Sequence, residues 1–184
     1  MADSSDISAL LRLVHRRWAI PVLAELHRSR GSKFVALVNR LGVGRSTLVR
    51  TLEALIAAGL VARNPGYGHP LRPEYLLTRS GASLAPACAD LLAALDSLLL
   101  RDLALRKWTL PVLLAIRTGA RRFSELKRLL PNITDRALAR SLRQMESVGL
   151  IAREIQLGYP PAPVYVLSLH AAIILPALAK LSHR

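Results

Sequence analysis

The sequence contains few of the residues on which catalysis, metal binding and disulfide bonds depend. One cysteine among 184 residues excludes an internal disulfide framework, and five histidines are scattered without metal-ligand spacing. We find no phosphate-binding glycine loop, nucleophile elbow or paired-carboxylate pattern. The sequence therefore predicts neither an enzyme nor a protein that binds a cofactor.

Long hydrophobic runs are also missing. No apolar run reaches roughly 18 residues, because Asp96 and Arg101 interrupt the richest stretch, DLLAALDSLLLRDLAL. The first residues, MADSSDISALL, have no basic segment ahead of an apolar core, so they do not resemble a signal peptide. Together with the single cysteine, these absences predict a soluble cytoplasmic protein with no membrane partner.

Aromatic and acidic residues are scarce. Aromatic residues make up 4% of a chain that is 52% hydrophobic, so the core must consist of small and branched aliphatic side chains, which favours helices. Twelve acidic residues face 26 lysines and arginines, which gives a net charge of +14. Residues 1–100 carry 12 basic and 7 acidic side chains, and residues 101–184 carry 14 and 5. Both halves therefore suit a polyanionic partner, since lysine and arginine displace the counterions of phosphates.

The chain contains an internal repeat with a spacing of 90 residues. The segment RWAIPVLAEL at Arg17 returns as KWTLPVLLAI at Lys107, and GLVAR returns as GLIAR. Matching prolines, leucines and tyrosines extend the repeat over almost the whole chain. A repeat of this kind indicates one structural unit used twice. We therefore predict two homologous domains, residues 1–97 and residues 98–184.

Each copy predicts the order helix, helix, turn, helix, β-hairpin. In the second copy, Pro111 suits a first helical turn and Gly119 suits a helix end. Ser124 and Thr134 are candidate N-caps of the next two helices. A Gly- and Pro-rich turn between two strand-like segments then predicts a hairpin. This order is that of a winged helix-turn-helix, so the predicted fold is mainly α with small β-hairpin wings.

The segment from Leu84 to Trp108 joins the two copies and contains Pro86 as its only helix breaker. It predicts a long helix, or two helices with a kink. An apolar stripe along it is a candidate pairing surface, either between the copies or between chains. The stripe consists of Leu84, Cys88, Leu91, Leu92, Leu95 and Leu99. Its cysteine is better explained as a buried thiol than as a reactive sensor.

Both copies resemble HxlR-type regulators, a subgroup of the MarR-like winged-helix proteins. The second copy carries the resemblance in KWTLPVLLAI, RRFSELKRLLPNITDRALARSLRQMESVGLIAR and PAPVYVLSL. The first carries it in RWAIPVLAEL, GLVAR and PLRPEYLLTRSGASLAP. The resemblance implies sequence-specific binding of double-stranded DNA, a role in transcription, and dimerisation through the outer helices.

The chain departs from that family in two ways. Family members typically have one such domain per chain, and many have a reactive cysteine close before a conserved tryptophan. Neither Trp18 nor Trp108 has a cysteine near it, which argues against thiol-based sensing. Because both tryptophans adjoin apolar helices, we expect them to anchor the core rather than stack on bases.

In a winged helix-turn-helix the third core helix enters the major groove. Buried leucines on one side leave arginines and hydroxyls on the other, where arginine can bind guanine O6 and N7 together. On an arbitrary helix the same arginines would form only a solvated face. Further basic residues lie on the wings and on the preceding helix, where phosphate is the expected contact. The predicted DNA-contacting residues are Arg45, Ser46, Thr47, Arg50, Arg63, Arg72, Lys127, Arg136, Arg140, Arg143 and Arg153.

The sequence predicts a transcriptional regulator that represses by occluding a promoter, and that is bound to the nucleoid when on DNA. The third helices begin differently, Arg45-Ser46-Thr47 against Asp135-Arg136-Ala137, so we expect two non-identical reading heads and unlike half-sites. The binding unit is a pseudo-dimer within one chain or a homodimer, and a small-molecule effector is left open. The alternative is a tandem winged-helix scaffold for protein interaction or chromosome organisation.

Overall fold

The structure is a computed structural model that describes residues 4–14, 16–64, 74–156 and 161–182. It is mainly helical, with two small antiparallel sheets, as the sequence predicts. Two compact units are formed, one by Leu13–Ala93 and one by Met1–Arg12 with Ala94–Arg184. The boundary between residues 97 and 98 is predicted from the sequence repeat, whereas the two compact units are defined by spatial contact. The boundary therefore stays a prediction. In the described ranges no helix is long and apolar enough to cross a bilayer.

The first half of the chain contains five helices and three strands among its described residues. They are α1 (Ser4–Val14), α2 (Ala19–Ser29), β1 (Ser32–Lys33), α3 (Phe34–Leu41), α4 (Arg45–Ala57), β2 (Val61–Asn64), β3 (Glu74–Leu77) and α5 (Arg79–Ser97). The strands form an antiparallel sheet in the order β1-β3-β2, in which Tyr75 of β3 lies opposite both Ser32 and Arg63. The helix-turn-helix is therefore α3 and α4, and the hairpin β2-β3 is its wing.

The second half repeats this order. Its elements are α6 (Arg101–Ala104), α7 (Thr109–Arg117), α8 (Phe123–Leu129), α9 (Asp135–Ser147), β4 (Ile151–Gln156), β5 (Ala162–Leu167) and α10 (Leu169–Ser182). In the β4-β5 hairpin Arg153 lies opposite Tyr165. The Tyr165 N–H donates to the Arg121 carbonyl at 2.8 Å. This bond occupies the position at which Ser32 of β1 pairs with β3 in the first copy.

Aliphatic side chains fill both cores, as the scarcity of aromatic residues predicts. Every residue from Ala19 to Leu26 in α2 and from Thr109 to Ile116 in α7 is buried. Trp18 and Trp108, which precede these helices, are only half-buried, so they anchor the core less completely than the sequence suggests. The ammonium of Lys107 lies 4.8 Å from the centroid of the Trp108 ring, a cation–π contact.

The third core helix of each copy ends in the same hydrogen-bonded turn. Gly59 and Gly149 follow α4 and α9 with φ of 67° and 68°, a left-handed conformation that glycine adopts without strain. The hydroxyls of Thr78 and Ser168 donate to the carbonyls of these two glycines. The same hydroxyls accept an N–H from the first turn of α5 and α10. The repeated sequence thus produces repeated caps, which connect α4 to α5 and α9 to α10.

Two helices with a break join the copies, which is the second of the two predicted arrangements. The break follows Ser97, and within it Leu99 has a φ of 56° and is 92% exposed. Its predicted place in the apolar stripe is therefore wrong, because the left-handed residue ends the helical spacing. The other five members are buried. Burial of Cys88 raises the pKa of its thiol to about 12.

One of the two predicted N-caps is confirmed and the other is wrong. The Thr134 hydroxyl accepts the Ala137 N–H at 3.2 Å and caps α9. Ser124, by contrast, lies inside the first turn of α8. The Glu125 carboxylate takes the capping role there, because it accepts the N–H groups of Arg122 at 2.9 Å and Arg121 at 2.8 Å. These two backbone hydrogen bonds lower the pKa of Glu125.

Candidate nucleic-acid interface

The helices α4 and α9 have one buried face and one exposed face, as the leucine spacing predicts. The buried residues are Leu48, Thr51, Leu52 and Leu55 in α4, and Leu138, Leu142 and Met145 in α9. The predicted contact residues of these helices are all exposed: Arg45, Ser46, Thr47 and Arg50 in α4, and Arg136, Arg140 and Arg143 in α9. Each helix therefore directs its polar side chains away from its own core.

The exposed faces of the two helices differ in chemistry. The exposed face of α4 has two arginines, Arg45 and Arg50, with two hydroxyls between them, and Val49 beside them is 42% exposed. The corresponding face of α9 has three arginines at spacings of four and three residues, which align along one side of a helix. A hydroxyl bonds a base or a phosphate, and an apolar side chain contacts the thymine methyl, whereas arginine prefers guanine. The exposed faces of the two helices therefore offer different hydrogen-bonding groups.

The amino-terminus of α9 is held more firmly than that of α4. Besides its Thr134 cap, α9 has Asp135 in its first turn, and the Lys127 ammonium lies 2.8 Å from a carboxylate oxygen of Asp135. Lys127 also donates to the Ile133 carbonyl. Lys127, which the sequence predicts to contact phosphate, thus connects α8 to the start of α9. Its role toward DNA stays a prediction. In α4 the N-cap position is Gly44, which has no side chain to accept a hydrogen bond.

The two wings present their predicted arginines at matching places. Arg63 of β2 and Arg153 of β4 are both exposed, and each lies opposite the tyrosine of the neighbouring strand. Arg72, the third predicted wing residue, lies outside the described residues, as do the wing tips. A wing contact to phosphate or to the minor groove stays a prediction for all three.

Sequence reasoning left out two arginines that lie next to α4. A cavity of about 300 Å³ is lined by Arg16, Arg17 and Trp18 from the turn before α2, and by Thr47, Arg50 and Thr51 from α4. The available signal was the pair of basic residues directly before each tryptophan, which the repeat preserves as Arg106 and Lys107. Helical spacing of residues did not reveal Arg16 and Arg17, because the turn before α2 is not helical.

A second cavity, of about 390 Å³, lies in the other unit beside the wing hairpin. Its lining residues are Gly119, Arg121, Arg122, Glu125, Glu154, Ile155, Gln156, Val164 and Val166. The Arg122 guanidinium donates to the Gln156 side-chain oxygen at 3.1 Å across it. In the part of the chain that the structure describes, no cluster of three His, Cys, Asp or Glu side chains could hold a metal ion.

Comparison with known proteins identifies the repeated unit. The family model of the HxlR-like helix-turn-helix matches the chain twice, over residues 13–101 and 103–183. An uncharacterised HTH-type transcriptional regulator of Methanothermobacter thermautotrophicus is 43% identical over 72 residues, which are 39% of this chain and 55% of that protein. The HTH-type regulator YtcD of Bacillus subtilis is 44% identical over 62 residues, 34% of this chain and 49% of that one. The chain spans about half the length of the curated relatives it matches.

Two solved structures are similar to part of the chain. A transcriptional regulator from Enterococcus faecalis, described as MarR-family, is 33% identical with a TM-score of 0.43 and covers 50% of this chain and 82% of its own. Diamide-treated YodB of B. subtilis is 19% identical with a TM-score of 0.41, covering 47% and 82%. The two family-model matches together span nearly the whole sequence. The protein therefore belongs to the HxlR-like helix-turn-helix family and contains two copies of its domain in tandem.

Proposed function

We propose that the protein binds double-stranded DNA at specific sequences and represses transcription by occluding a promoter. One observation carries the proposal. The third helix of each helix-turn-helix exposes arginines on the face opposite its buried leucines. A helix of this kind fits the major groove, where arginine discriminates guanine by a bidentate contact. The relatives, which are described as HTH-type transcriptional regulators, support the same function.

The charge of the chain supports the affinity part of this function. A net charge of +14 spread over both halves attracts DNA at every sequence, and each neutralised phosphate adds to the salt dependence of binding. Selectivity must then come from the few side chains that reach base edges. We assign this role first to Arg45 in α4 and to Arg136, Arg140 and Arg143 in α9, with Ser46 as an adaptable contact. Thr47 and Arg50, which line a cavity together with Arg16, are assigned to the DNA backbone.

The two reading helices require two unlike half-sites. Three arginines along α9 favour a half-site with several guanines, whereas Ser46 and the exposed Val49 of α4 favour a mixed half-site with thymine. A pseudo-dimer within one chain would bind both half-sites once, and a homodimer would double them. The ratio of chains to DNA in the complex, measured by mass photometry, separates these assemblies.

The decisive experiment is selection of bound duplexes from a random pool, followed by affinity measurements on the selected site. Arg136→Ala combined with Arg140→Ala should reduce the preference for that site by about five- to 150-fold per lost bidentate contact, because each is worth about 1–3 kcal/mol. Arg79→Ala combined with Arg117→Ala removes the same charge from exposed positions outside the reading helices and wings, so it should preserve the preference.

Two outcomes would contradict the proposal. A strict palindrome recovered from the pool would contradict the unlike half-sites. Weak binding at every sequence, with no difference between the two double variants, would favour the alternative of a scaffold that binds other proteins. Repression itself is tested with a reporter under the selected promoter, whose expression should rise when the reading-helix variant replaces the wild type.

A further inference from the structure

The cavity beside α4 has a basic lining. Three of its six lining residues are arginines, Arg16, Arg17 and Arg50, and they come from two separate segments of the same compact unit. The described residues that line it include no acidic side chain. Arginines that line one cavity concentrate positive charge there, and this charge attracts an anion. The cavity is therefore suited to a negatively charged group.

The other lining residues indicate which anion fits. The Thr51 hydroxyl is buried and donates to the Thr47 carbonyl at 2.8 Å, which holds the first turns of α4 in place. The Thr47 hydroxyl is at an exposed position and lines the cavity. Arginine forks and hydroxyls together match the oxygens of a phosphate, since a guanidinium binds two of them and a hydroxyl donates to another. A volume of about 300 Å³ holds such a group with its remaining water.

The cavity lies beside α4, the helix that we propose enters the major groove. Thr47 and Arg50 belong to the helix whose first residues, Arg45 and Ser46, we assign to base contacts. A phosphate that is bound at the cavity would therefore lie on the strand that borders the groove read by α4. We propose that the cavity formed by Arg16, Arg17, Trp18, Thr47, Arg50 and Thr51 binds a backbone phosphate of the DNA site. This inference rests on the proposed function and adds a positioning contact to it.

The second copy keeps the sequence of this lining only in part, with Arg140 and Ser141 in the places of Arg50 and Thr51. The repeat places Arg106, Lys107 and Trp108 before α7, but Ala137 replaces Thr47, so a hydroxyl is lost. The Lys107 ammonium lies over the Trp108 ring, where it is engaged in a cation–π contact. Arg106 is the counterpart of Arg16 in the repeat and is likewise exposed, so a comparison of the two tests whether the Thr47 hydroxyl matters for the contact.

The test measures the affinity of the full chain for its selected DNA site as a function of salt concentration. Arg16→Ala should lower the slope of log affinity against log salt by about 1, and it should weaken binding uniformly across sequences, so that selectivity is unchanged. Arg16→Lys retains the charge and should retain most of the slope. Arg106→Ala and Arg79→Ala should change the slope less. Circular dichroism of each variant verifies that it is folded.

Two results would overturn the inference. The first is a slope for Arg16→Ala equal to that of Arg79→Ala. The second is stabilisation of the free protein by inorganic phosphate that Arg16→Ala abolishes while DNA affinity stays unchanged, which would assign the cavity to a free anion instead. If the wild type bound DNA without selectivity, the proposed regulator would fail. The slope comparison on that DNA would still decide the role of the cavity.

Discussion

Thr134→Ala removes the side-chain cap of α9, the helix that places Arg136 and Arg140 on the exposed face. In the wild type the Thr134 hydroxyl satisfies the Ala137 N–H at 3.2 Å, one of the donors that an isolated helix leaves unpaired. Alanine has no acceptor there, so this N–H turns to water and the first turn frays. The perturbation thus acts on the start of the helix that we assign to base reading.

The magnitude follows from the exposure of the cap. Replacement of a threonine cap by alanine costs about 0.5–2 kcal/mol, and the exposed position of Thr134 places the expected loss near 1 kcal/mol. For a domain of roughly 100 residues that loss lowers the Tm by about 4–8 °C. Thr134→Gly should cost only a few tenths of a kcal/mol, since glycine is itself an acceptable N-cap residue. The order of stability is therefore wild type, Thr134→Gly, Thr134→Ala.

Urea denaturation followed by circular dichroism measures these differences, and amide exchange at Ala137 reports the fraying locally. Ser124→Ala is the matched control, because sequence reasoning places a cap at Ser124 and the structure places it inside α8. A surface change of this kind should stay within about 0.5 kcal/mol. Equal losses for Thr134→Ala and Ser124→Ala would refute the assignment of the cap.

Three further predictions concern single side chains. The pKa of Glu125 is lowered in the folded state, so the ionised carboxylate stabilises the fold fully above the ordinary pKa of 4.5. This stabilisation is lost as the pH falls through the pKa of the folded state. The difference in free energy of unfolding between wild type and Glu125→Ala should therefore narrow below about pH 4.5 in a series of denaturation experiments at decreasing pH. Cys88, with a pKa of about 12, should resist maleimide at neutral pH until the protein unfolds, and rapid labelling of the native chain would show that the thiol is accessible. Leu99→Gly should raise the free energy of unfolding by about 0.5–1 kcal/mol, because the left-handed backbone of Leu99 is strained for leucine and its exposed side chain contributes little packing. A lower free energy of unfolding would contradict this and would mean that the Leu99 side chain is buried in an assembly.

Most of the fold was predictable because the internal repeat shows the same pattern of helices and strands in two copies. Leucine spacing alone predicts which faces of α4 and α9 are buried, and a single proline or glycine gives the approximate ends of several helices. The predictions that were wrong depend on local competition between neighbours. Ser124 has a suitable side chain for a cap, but Glu125 reaches the free N–H groups of Arg121 and Arg122 from within the helix. A charged acceptor forms the stronger hydrogen bond, and residue type alone does not reveal this.

Leu99 shows a second limit of periodicity. Its spacing from Leu95 and Leu92 continues the apolar stripe, yet the chain leaves the helix after Ser97 and places Leu99 at a left-handed residue. Nothing between Leu84 and Trp108 apart from Pro86 marks this break, and α5 continues through that proline. Helix ends of this kind depend on which carbonyls the following segment can satisfy, as the Leu100 N–H does by donating to the Leu95 carbonyl at 2.9 Å.

The residues of the candidate interface were likewise predictable only where they lie on regular helices. Residues on regular helices, such as Arg50 and Arg136, could be assigned from spacing, because a helix determines which side chains share a face. Arg16 could not, since it precedes a helix in a turn and meets α4 only through the tertiary fold. A long, flexible side chain outside regular structure has no periodic signature. If the cavity that Arg16, Arg17 and Arg50 line binds a phosphate, affinity for DNA depends on a residue that the helix-turn-helix pattern does not include. The salt dependence of DNA binding by Arg16→Ala is the measurement that reveals this.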